Sequence, residues 1–241
     1  MRVHVALTPA ELDGTALHAQ TVVVIDVFRA ATTVATALAN GCRGVVPALT
    51  PEEARERACA YRPDEVLLAG ERGGEPIPGF DLGNSPLEYT PDRIAGRVVI
   101  LTTTNGTRAL MRAAGAASTA MAGFVNATAI AWWARHAARD LTLACAGEAG
   151  AASLEDTVCA GLIVDALALA CGAPELSDTA AIARGAAREY RDRLGDLRVE
   201  SRWGRHLLEK GREQDLTACL ALDARPVVPV LRNGLVVSAQ P

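Results

Sequence analysis

Short apolar runs alternate with longer amphipathic stretches along most of the chain. The runs are rich in Val, Ile and Leu, and several lack polar alternation, which is typical of strands covered on both faces. Helix signals stand between them, such as Thr50-Pro51 at a helix start and Asn40-Gly41 at a helix end. The pattern predicts strands at residues 3–7, 21–25, 44–47, 65–69, 98–101, 118–122 and 141–146.

Beyond residue 146 the pattern becomes helical. Residues 154–172 are apolar almost all round and predict a buried helix, and residues 174–193 and 198–211 predict amphipathic helices. No element is predicted for the tail, 215–230. Alternating strands and helices predict an α/β fold with a largely parallel or mixed sheet flanked by helices. A single domain over residues 1–241 is expected, with two closely packed α/β lobes as the alternative.

Composition and charge argue against nucleic-acid and membrane partners and indicate a cellular compartment. The chain has 24 basic and 28 acidic residues, a formal net charge of −4, so nucleic acid is not an expected partner. No apolar run reaches the ~18 residues of a membrane span, so no membrane association is expected. Six cysteines without a C-x-x-C pair indicate core thiols in a reducing compartment, which predicts a cytoplasmic location. The oligomeric state stays open, with a homodimer as one option.

A threonine-rich turn follows the predicted strand at 98–101. Residues 102–107 read TTTNGT, and a helix is predicted to start at Arg108. Free N–H groups and the dipole at a helix start favour an anion, and Gly106 would let the backbone approach it closely. The turn therefore predicts a phosphate or sulfonate cradle, while an ordinary capped helix start remains the alternative. No Gly-Lys-Thr/Ser sequence follows, so a Walker A loop is disfavoured.

Polar side chains follow three further predicted strands. Because carboxyl ends of parallel strands meet at one edge, these turns are expected to form one site there. The glycine- and proline-rich segment 70–88 is expected to be a functional loop. The residues that follow the three strands are Asp26 and Arg29, Glu71 and Arg72, and Glu148.

Carboxylates outnumber the cations near these turns. They would repel an anion unless a cation lay between them, and Mg²⁺ suits that place because one or two carboxylates plus substrate oxygens and water bind it. Arg29, Arg72 and Arg108 would clamp phosphate or a second acidic group. Hydrolysis by metal and water is thus favoured over a Ser or Cys nucleophile. An aspartyl-phosphate route through Asp26 ranks low, because Phe28 stands where haloacid-dehalogenase phosphatases have a second aspartate.

Four motifs carry a family resemblance over nearly the whole chain. They are DVFRAATT at 26–33, GER at 70–72 with GFDLGNSP at 79–86, TTNGT at 103–107, and LED at 154–156 with AG at 160–161. Together they resemble the ComB family of 2-phosphosulfolactate phosphatases. The resemblance implies an unusual α/β fold and Mg²⁺-dependent hydrolysis of (2R)-O-phospho-3-sulfolactate to 3-sulfolactate and phosphate, a step towards coenzyme M.

The expected ligand is thus a small, anionic, phosphorylated molecule. The predicted metal ligands are Asp26, Glu71 and Asp156, and the predicted catalytic residues are Asp26, Arg29 and Glu148. The predicted substrate-binding residues are Arg72, Asn84, Ser85, Thr103, Thr104, Asn105, Gly106, Thr107 and Arg108. Two alternatives stay open: a phosphatase for another small phospho-hydroxy acid, and a non-catalytic anion-binding module.

Overall fold

A computed structural model describes residues 1–12, 16–171 and 174–239. Eleven strands form a mixed sheet flanked by helices, as the pattern predicts. The strands are β1 (Arg2–Ala6), β2 (Thr21–Ile25), β3 (Gly44–Pro47), β4 (Val66–Arg72), β5 (Glu75–Pro76), β6 (Val98–Thr102), β7 (Ser118–Ala122), β8 (Leu141–Cys145), β9 (Glu175–Leu176), β10 (Pro229–Arg232) and β11 (Leu235–Ser238). The helices are α1 (Ala30–Ala39), α2 (Pro51–Ala58), α3 (Pro91–Ile94), α4 (Gly106–Ala113), α5 (Ala127–His136), α6 (Leu154–Cys171), α7 (Asp178–Tyr190), α8 (Leu197–Glu200), α9 (Arg202–Glu209) and α10 (Glu213–Cys219).

Most predicted elements are present, with a few shifted boundaries. Strands β2, β3 and β7 match their predictions residue for residue, and the Thr50 hydroxyl caps α2 by accepting the Glu53 N–H at 3.1 Å. Helix α4 begins two residues earlier than predicted, at Gly106. Strand β4 continues through Arg72, so the expected loop at 70–88 begins as the hairpin β4–β5. The predicted end of α6, Gly172, lies outside the described residues.

The directions of the strands contradict the expectation that all the polar turns lie at one edge of a parallel sheet. The sheet order is β5-β4-β6-β3-β11-β10-β7-β2-β8-β1-β9, with parallel pairing within β4-β6-β3 and within β7-β2-β8-β1-β9. The hairpin β10–β11 lies between these two groups and makes antiparallel pairs throughout. Three successive antiparallel pairs reverse the strand direction, so the groups run oppositely. The polar turns therefore do not share one edge of a parallel sheet.

Twist brings the opposed strand ends together instead. One core cluster contains Val24 of β2, Leu101 of β6, Val34 of α1 and Leu110 of α4, so the sheet curls around α1 and α4. A mean twist of 20–25° per strand accumulates to roughly 100–125° over the five steps from β2 to β6. The carboxyl ends of β2 and β6 consequently approach each other across the curl.

Other helices cover the outside of the curl. Helices α5, α6 and α7 pack on the group that contains β2, with Ile130, Val158 and Ala183 in the shared core, and α2 covers β3 and β6. Helices α6 and α7 cross closely at Gly161, where an added Cβ would lie 2.0 Å from the Ala183 carbonyl oxygen. Among the helices of the described residues, none combines the length and apolarity needed to cross a membrane.

Candidate active site

Asp26 lies at the carboxyl end of β2 and is almost fully buried. Its Oδ1 accepts the Ala30 N–H at 3.1 Å, and no hydrogen bond from the described residues reaches Oδ2. The first residue of α4 lies against that second oxygen, since a Cβ on Gly106 would stand 2.5 Å from Oδ2. The close backbone approach expected at Gly106 is thus present, and its neighbour is a carboxylate.

Two more buried acids, Glu155 and Asp156, occupy the first turn of α6. Asp156 accepts the Val27 N–H at 2.9 Å with Oδ1 and the Gly147 N–H at 3.1 Å with Oδ2. These bonds hold the ends of the neighbouring strands β2 and β8 together. Asp156 therefore stabilises the local fold through these two hydrogen bonds, and it also lies close to Asp26.

Burial shifts the titration of all three acids. It raises the pKa of Asp26, Glu155 and Asp156 to about 7, and it is the largest cause for each. The negative charges of Asp156 and Glu71 raise the pKa of Asp26 further. The acids thus lie close enough to repel one another, which favours either protons or a bound cation among them.

Glu71 connects the hairpin β4–β5 to the threonine-rich turn. Its Oε1 accepts the Thr104 N–H at 2.7 Å, and its Oε2 accepts the Gly74 N–H at 2.8 Å. The Gly74 carbonyl in turn accepts a hydrogen bond from Arg29 Nη2 at 3.0 Å. Three segments that are distant in sequence therefore meet around one carboxylate.

Arg29 is buried and paired with Asp215 of α10, whose Oδ2 lies 2.6 Å from Arg29 Nη1. Ser85 donates its hydroxyl to Asp215 Oδ1 at 2.5 Å, and the carbonyl of buried Asn84 accepts the Thr33 hydroxyl at 3.0 Å. Arg29 is the one buried cation among the residues that the structure describes. Asp215 balances it, and Arg184 and Arg191 pair with buried Asp165. The other four buried carboxylates have no ion-pair partner among the described residues: Asp26, Glu71, Glu155 and Asp156.

The threonine-rich turn begins α4 and leaves one hydroxyl unpaired. Thr103 and Thr107 exchange hydrogen bonds, each hydroxyl accepting the other's N–H at 3.1–3.2 Å, as in a capped helix start. The Thr104 hydroxyl is buried and has no hydrogen-bond partner among the described residues. Asn105 is half-buried and lines an open cleft. Substrate binding by this turn stays a prediction for Thr104 and Asn105 above all.

The cleft beside this turn has a volume of about 590 Å³. Its walls come from the segments after β1, β3, β6 and β8, and Arg108 and Arg112 of α4 lie one turn apart among them. Ala146 also lines it and immediately precedes Gly147, whose N–H binds Asp156. The turns that bind Glu71 and Asp156 therefore also contribute to an arginine-lined cleft, although the acids themselves do not line it.

Arg72 contacts a residue of the cleft wall, Leu49, whereas Glu148 lines a separate cavity with Glu155 and Arg202. Arg72 Nη2 donates to the Thr102 hydroxyl at 2.8 Å and to the Leu49 carbonyl at 3.1 Å. The pKa of Arg72 is lowered, mainly by burial and further by the positive charge of Arg108. Glu148 lies 3.4 Å from the Arg202 guanidinium of α9, and its charge helps to raise the pKa of Glu155.

The predicted magnesium ligands do not form a closed cage. Within residues 1–12, 16–171 and 174–239, no group of three or more His, Cys, Asp or Glu side chains is arranged to hold a metal ion. A carboxylate has about four lone-pair sites, so Glu71 and Asp156 keep acceptor capacity beside their backbone bonds. The excess of oxygen donors fits a hard cation that takes only part of its ligands from protein.

Comparison with known proteins identifies the family. Residues 6–234 match the family model described as 2-phosphosulpholactate phosphatase. The chain belongs to this family. The 2-phosphosulpholactate phosphatase family is thus the one that the four sequence motifs indicate.

Three relatives carry the name "Probable 2-phosphosulfolactate phosphatase". The protein from Symbiobacterium thermophilum is 45% identical, covering 97% of this chain and 98% of its own. Those from a Synechococcus species and from Caldanaerobacter subterraneus are 40% and 38% identical, each covering over nine-tenths of both chains. The family and relative names indicate a phosphatase, that is, a phosphoric monoester hydrolase.

Three residues of this site had no role predicted from the sequence. Glu155 precedes the predicted metal ligand Asp156. An acid in the first turn of a largely apolar helix could have indicated that it belongs to the site. Arg112 follows Arg108 by four residues, the spacing that places two side chains on one helix face. Asp215 has no such signal, because its partner Arg29 lies 186 residues away in sequence.

Proposed function

We propose that this chain hydrolyses (2R)-O-phospho-3-sulfolactate to 3-sulfolactate and phosphate in a Mg²⁺-dependent reaction. One observation carries the proposal: four buried carboxylates without an ion-pair partner among the described residues lie against the turns after β6 and β8, and those turns also line a cleft that contains two arginines. The relatives' names supply the substrate. A cytoplasmic step of coenzyme M biosynthesis is the corresponding cellular role.

The acids would hold the cation and the water. Asp26, Glu71 and Asp156 would ligate Mg²⁺, which when bound polarises phosphoryl oxygens and lowers the pKa of water. Asp26 is the central ligand, because its Oδ2 has no hydrogen-bond partner among the described residues. Glu148, which lies 3.4 Å from the Arg202 guanidinium, would orient the attacking water.

The arginines would bind the rest of the substrate, which carries sulfonate and carboxylate groups beside the phosphate. Arg108 is exposed at the cleft and has no ion-pair partner among the described residues. Its charge acts on Arg72, so two cations stand near each other on this wall. A guanidinium binds an oxyanion through two parallel N–H groups, and Arg108 would therefore bind the sulfonate or carboxylate.

The direct test measures phosphate release from phosphosulfolactate with and without Mg²⁺. We expect Mg²⁺-dependent release by the unaltered chain and a loss of at least about a hundredfold in Asp26→Asn, because metal ligands and their support affect activity strongly. Asp165→Asn is the matched control, since Asp165 is a buried carboxylate paired with Arg184 and Arg191 on the opposite side of α6. Absence of release under both conditions would refute the proposal.

A second phospho-hydroxy acid remains a candidate substrate. The cleft is as large as those that hold drug-sized ligands, so it admits molecules larger than phosphosulfolactate. A panel of phospho-hydroxy acids with and without a sulfonate separates the two candidates. If a sulfur-free member of the panel had a higher kcat/KM than phosphosulfolactate, that member would be the preferred substrate. The chain would still be a phosphatase.

A further inference from the structure

The ion pair between Arg29 and Asp215 joins the start of α1 to α10 inside the protein. The two side chains are 2% and 5% exposed, and their closest atoms lie 2.6 Å apart. Asp215 also accepts the Ser85 hydroxyl, so both of its carboxylate oxygens are occupied. The Asp215 carboxylate is therefore held in one orientation by Arg29 and Ser85.

The hairpin β4–β5 forms the other support of Arg29. The Gly74 carbonyl binds Arg29 Nη2, and the Gly74 N–H binds Glu71. Lys210, which follows α9, holds the same hairpin through Glu75 at 2.7 Å. The segment after α9 and the Arg29 side chain thus both bind the hairpin β4–β5, at Glu75 and Gly74.

One atom of Arg29 is left without a partner. Its terminal nitrogens bind Asp215 and Gly74, but the Nε–H is buried and makes no hydrogen bond to any described residue. An unsatisfied N–H of a buried charged group is costly, and such groups are normally completed by a ligand or water. Arg29 also lies close enough to Asp26 to lower the pKa of that carboxyl.

We propose that Asp215 is a positioning residue that orients Arg29, so that the Arg29 Nε–H is free to bind the phosphate of the substrate. The competing partner is Asp26, whose Oδ2 has no hydrogen bond from the described residues. Without Asp215, the guanidinium would turn to Asp26 and occupy the oxygen that the cation needs. Asp215 thereby keeps a cation and an anion site separate within one small volume.

The kinetic side of this inference rests on the proposed phosphatase function, but binding of inorganic phosphate tests it separately. In the Mg²⁺-loaded protein, Asp215→Asn should weaken phosphate binding and raise KM roughly 10- to 100-fold, because a hydrogen bond to a charged group is lost. Asp215→Glu keeps the charge and should recover part of the affinity. Calorimetry with phosphate and steady-state kinetics give the two readouts.

Asp165→Asn is again the matched control, since it also removes a buried carboxylate that pairs with arginine but lies outside the site. It should lower the thermal midpoint without changing phosphate affinity. Equal phosphate affinity in Asp215→Asn and the unaltered chain would overturn the inference. Tighter binding would overturn it as well, because it would show that Asp215 only offsets the charge of Arg29.

A double variant covers the case in which Asp215→Asn does not fold. Replacing both members of a buried ion pair with apolar residues often preserves stability, so Arg29→Met with Asp215→Leu should fold. We expect this variant to lose phosphate binding. Normal binding would show that Arg29 takes no part and would refute the inference. Phosphate binding without hydrolysis of phosphosulfolactate by the unaltered chain would refute only the proposed function.

Discussion

The contact between Gly106 and Asp26 shows how one missing side chain shapes the site. Alanine at this helix position would ordinarily stabilise the protein by about 1 kcal/mol. Here its Cβ would stand 2.5 Å from Asp26 Oδ2 and 2.8 Å from the Ala30 Cβ. The site therefore requires glycine for space rather than for backbone conformation.

Gly106→Ala should consequently lower both stability and phosphatase activity. We expect a loss of about 1–3 kcal/mol in the free energy of unfolding, as for other overpacked positions, and a fall in kcat as Asp26 is displaced. Urea unfolding and phosphate release measure the two effects. Gly115→Ala is the control, because nothing lies within 4 Å of its added Cβ. Full activity in Gly106→Ala would contradict the close contact.

The raised pKa values of the buried acids predict how stability depends on pH. Asp26, Glu155 and Asp156 have a pKa of about 7 in the folded, metal-free protein, against roughly 4 when unfolded. Their protonated forms therefore stabilise the fold fully below about pH 4, and this contribution is lost as the pH rises through 7.

In EDTA, the urea midpoint should accordingly fall from pH 5.5 to pH 8, and Asp156→Asn should show a smaller fall. Mg²⁺ should raise the midpoint at pH 8 more than at pH 5.5, because metal ligands must be deprotonated. Equal Mg²⁺ effects at both pH values would argue against a cation site at these acids.

Residues that directly follow a strand can be grouped from the sequence. Asp26, Arg29 and Glu71 were predicted in this way, and the structure brings them into one network, while their roles stay predictions. The two roles open for the threonine-rich turn could not be separated from sequence, since Thr103 and Thr107 pair only once the turn has formed. Asp215 could not be found, because its contact depends on the arrangement of the whole chain.

At the scale of elements, α6 shows why a largely apolar, buried helix contains a glycine. Its neighbours α5 and α7 and the sheet bury most of it, which confirms the prediction from its apolar sequence. Gly161 lies where α7 crosses, and its backbone approaches Ala183 more closely than any side chain would allow.

Gly161→Ala should force the two helices apart. We expect a loss of about 1–3 kcal/mol, the usual cost of overpacking a well-packed core. Gly185→Ala in α7 has open space around its Cβ and should instead stabilise the protein by about 0.5–1 kcal/mol. Chemical denaturation compares the pair, and similar midpoints for both variants would disprove the close crossing.

The sequence pattern did not predict the hairpin β10–β11. Asn233-Gly234 stands between two short apolar runs and has positive φ at both residues, which is a strong hairpin signal. Its strands are only four residues long, so periodicity gave little support. Even a correctly predicted hairpin would have been placed at a sheet edge, because insertion between two parallel groups depends on contacts across the chain.

At the scale of the whole molecule, this hairpin connects the two parallel groups of the sheet. Val230 pairs with Ala120 of β7 and Val236 with Val45 of β3, and both valines are buried. The core around α1 and α4 takes side chains from both groups, so the halves depend on each other for burial.

Val236→Asp should therefore destabilise both halves together. A buried, unpaired carboxylate is among the costliest substitutions, and we expect the variant to be largely unfolded at 37 °C. Arg232→Asp changes charge at an exposed position of the same hairpin and should be nearly neutral. Hydrogen exchange at β2 and β6 gives the readout, and loss of protection in only one of these strands would contradict a shared core.

The central position of β10–β11 also has a consequence for biosynthesis. The ribosome makes residues 229–238 last among the strands, yet they fill the middle of the sheet. Until they emerge, the inner edges of β3 and β7 have no partner strand, and such edges readily pair with other chains. The nascent chain thus has two unpaired strand edges until residues 229–238 have been added, and it is exposed to aggregation through them until then.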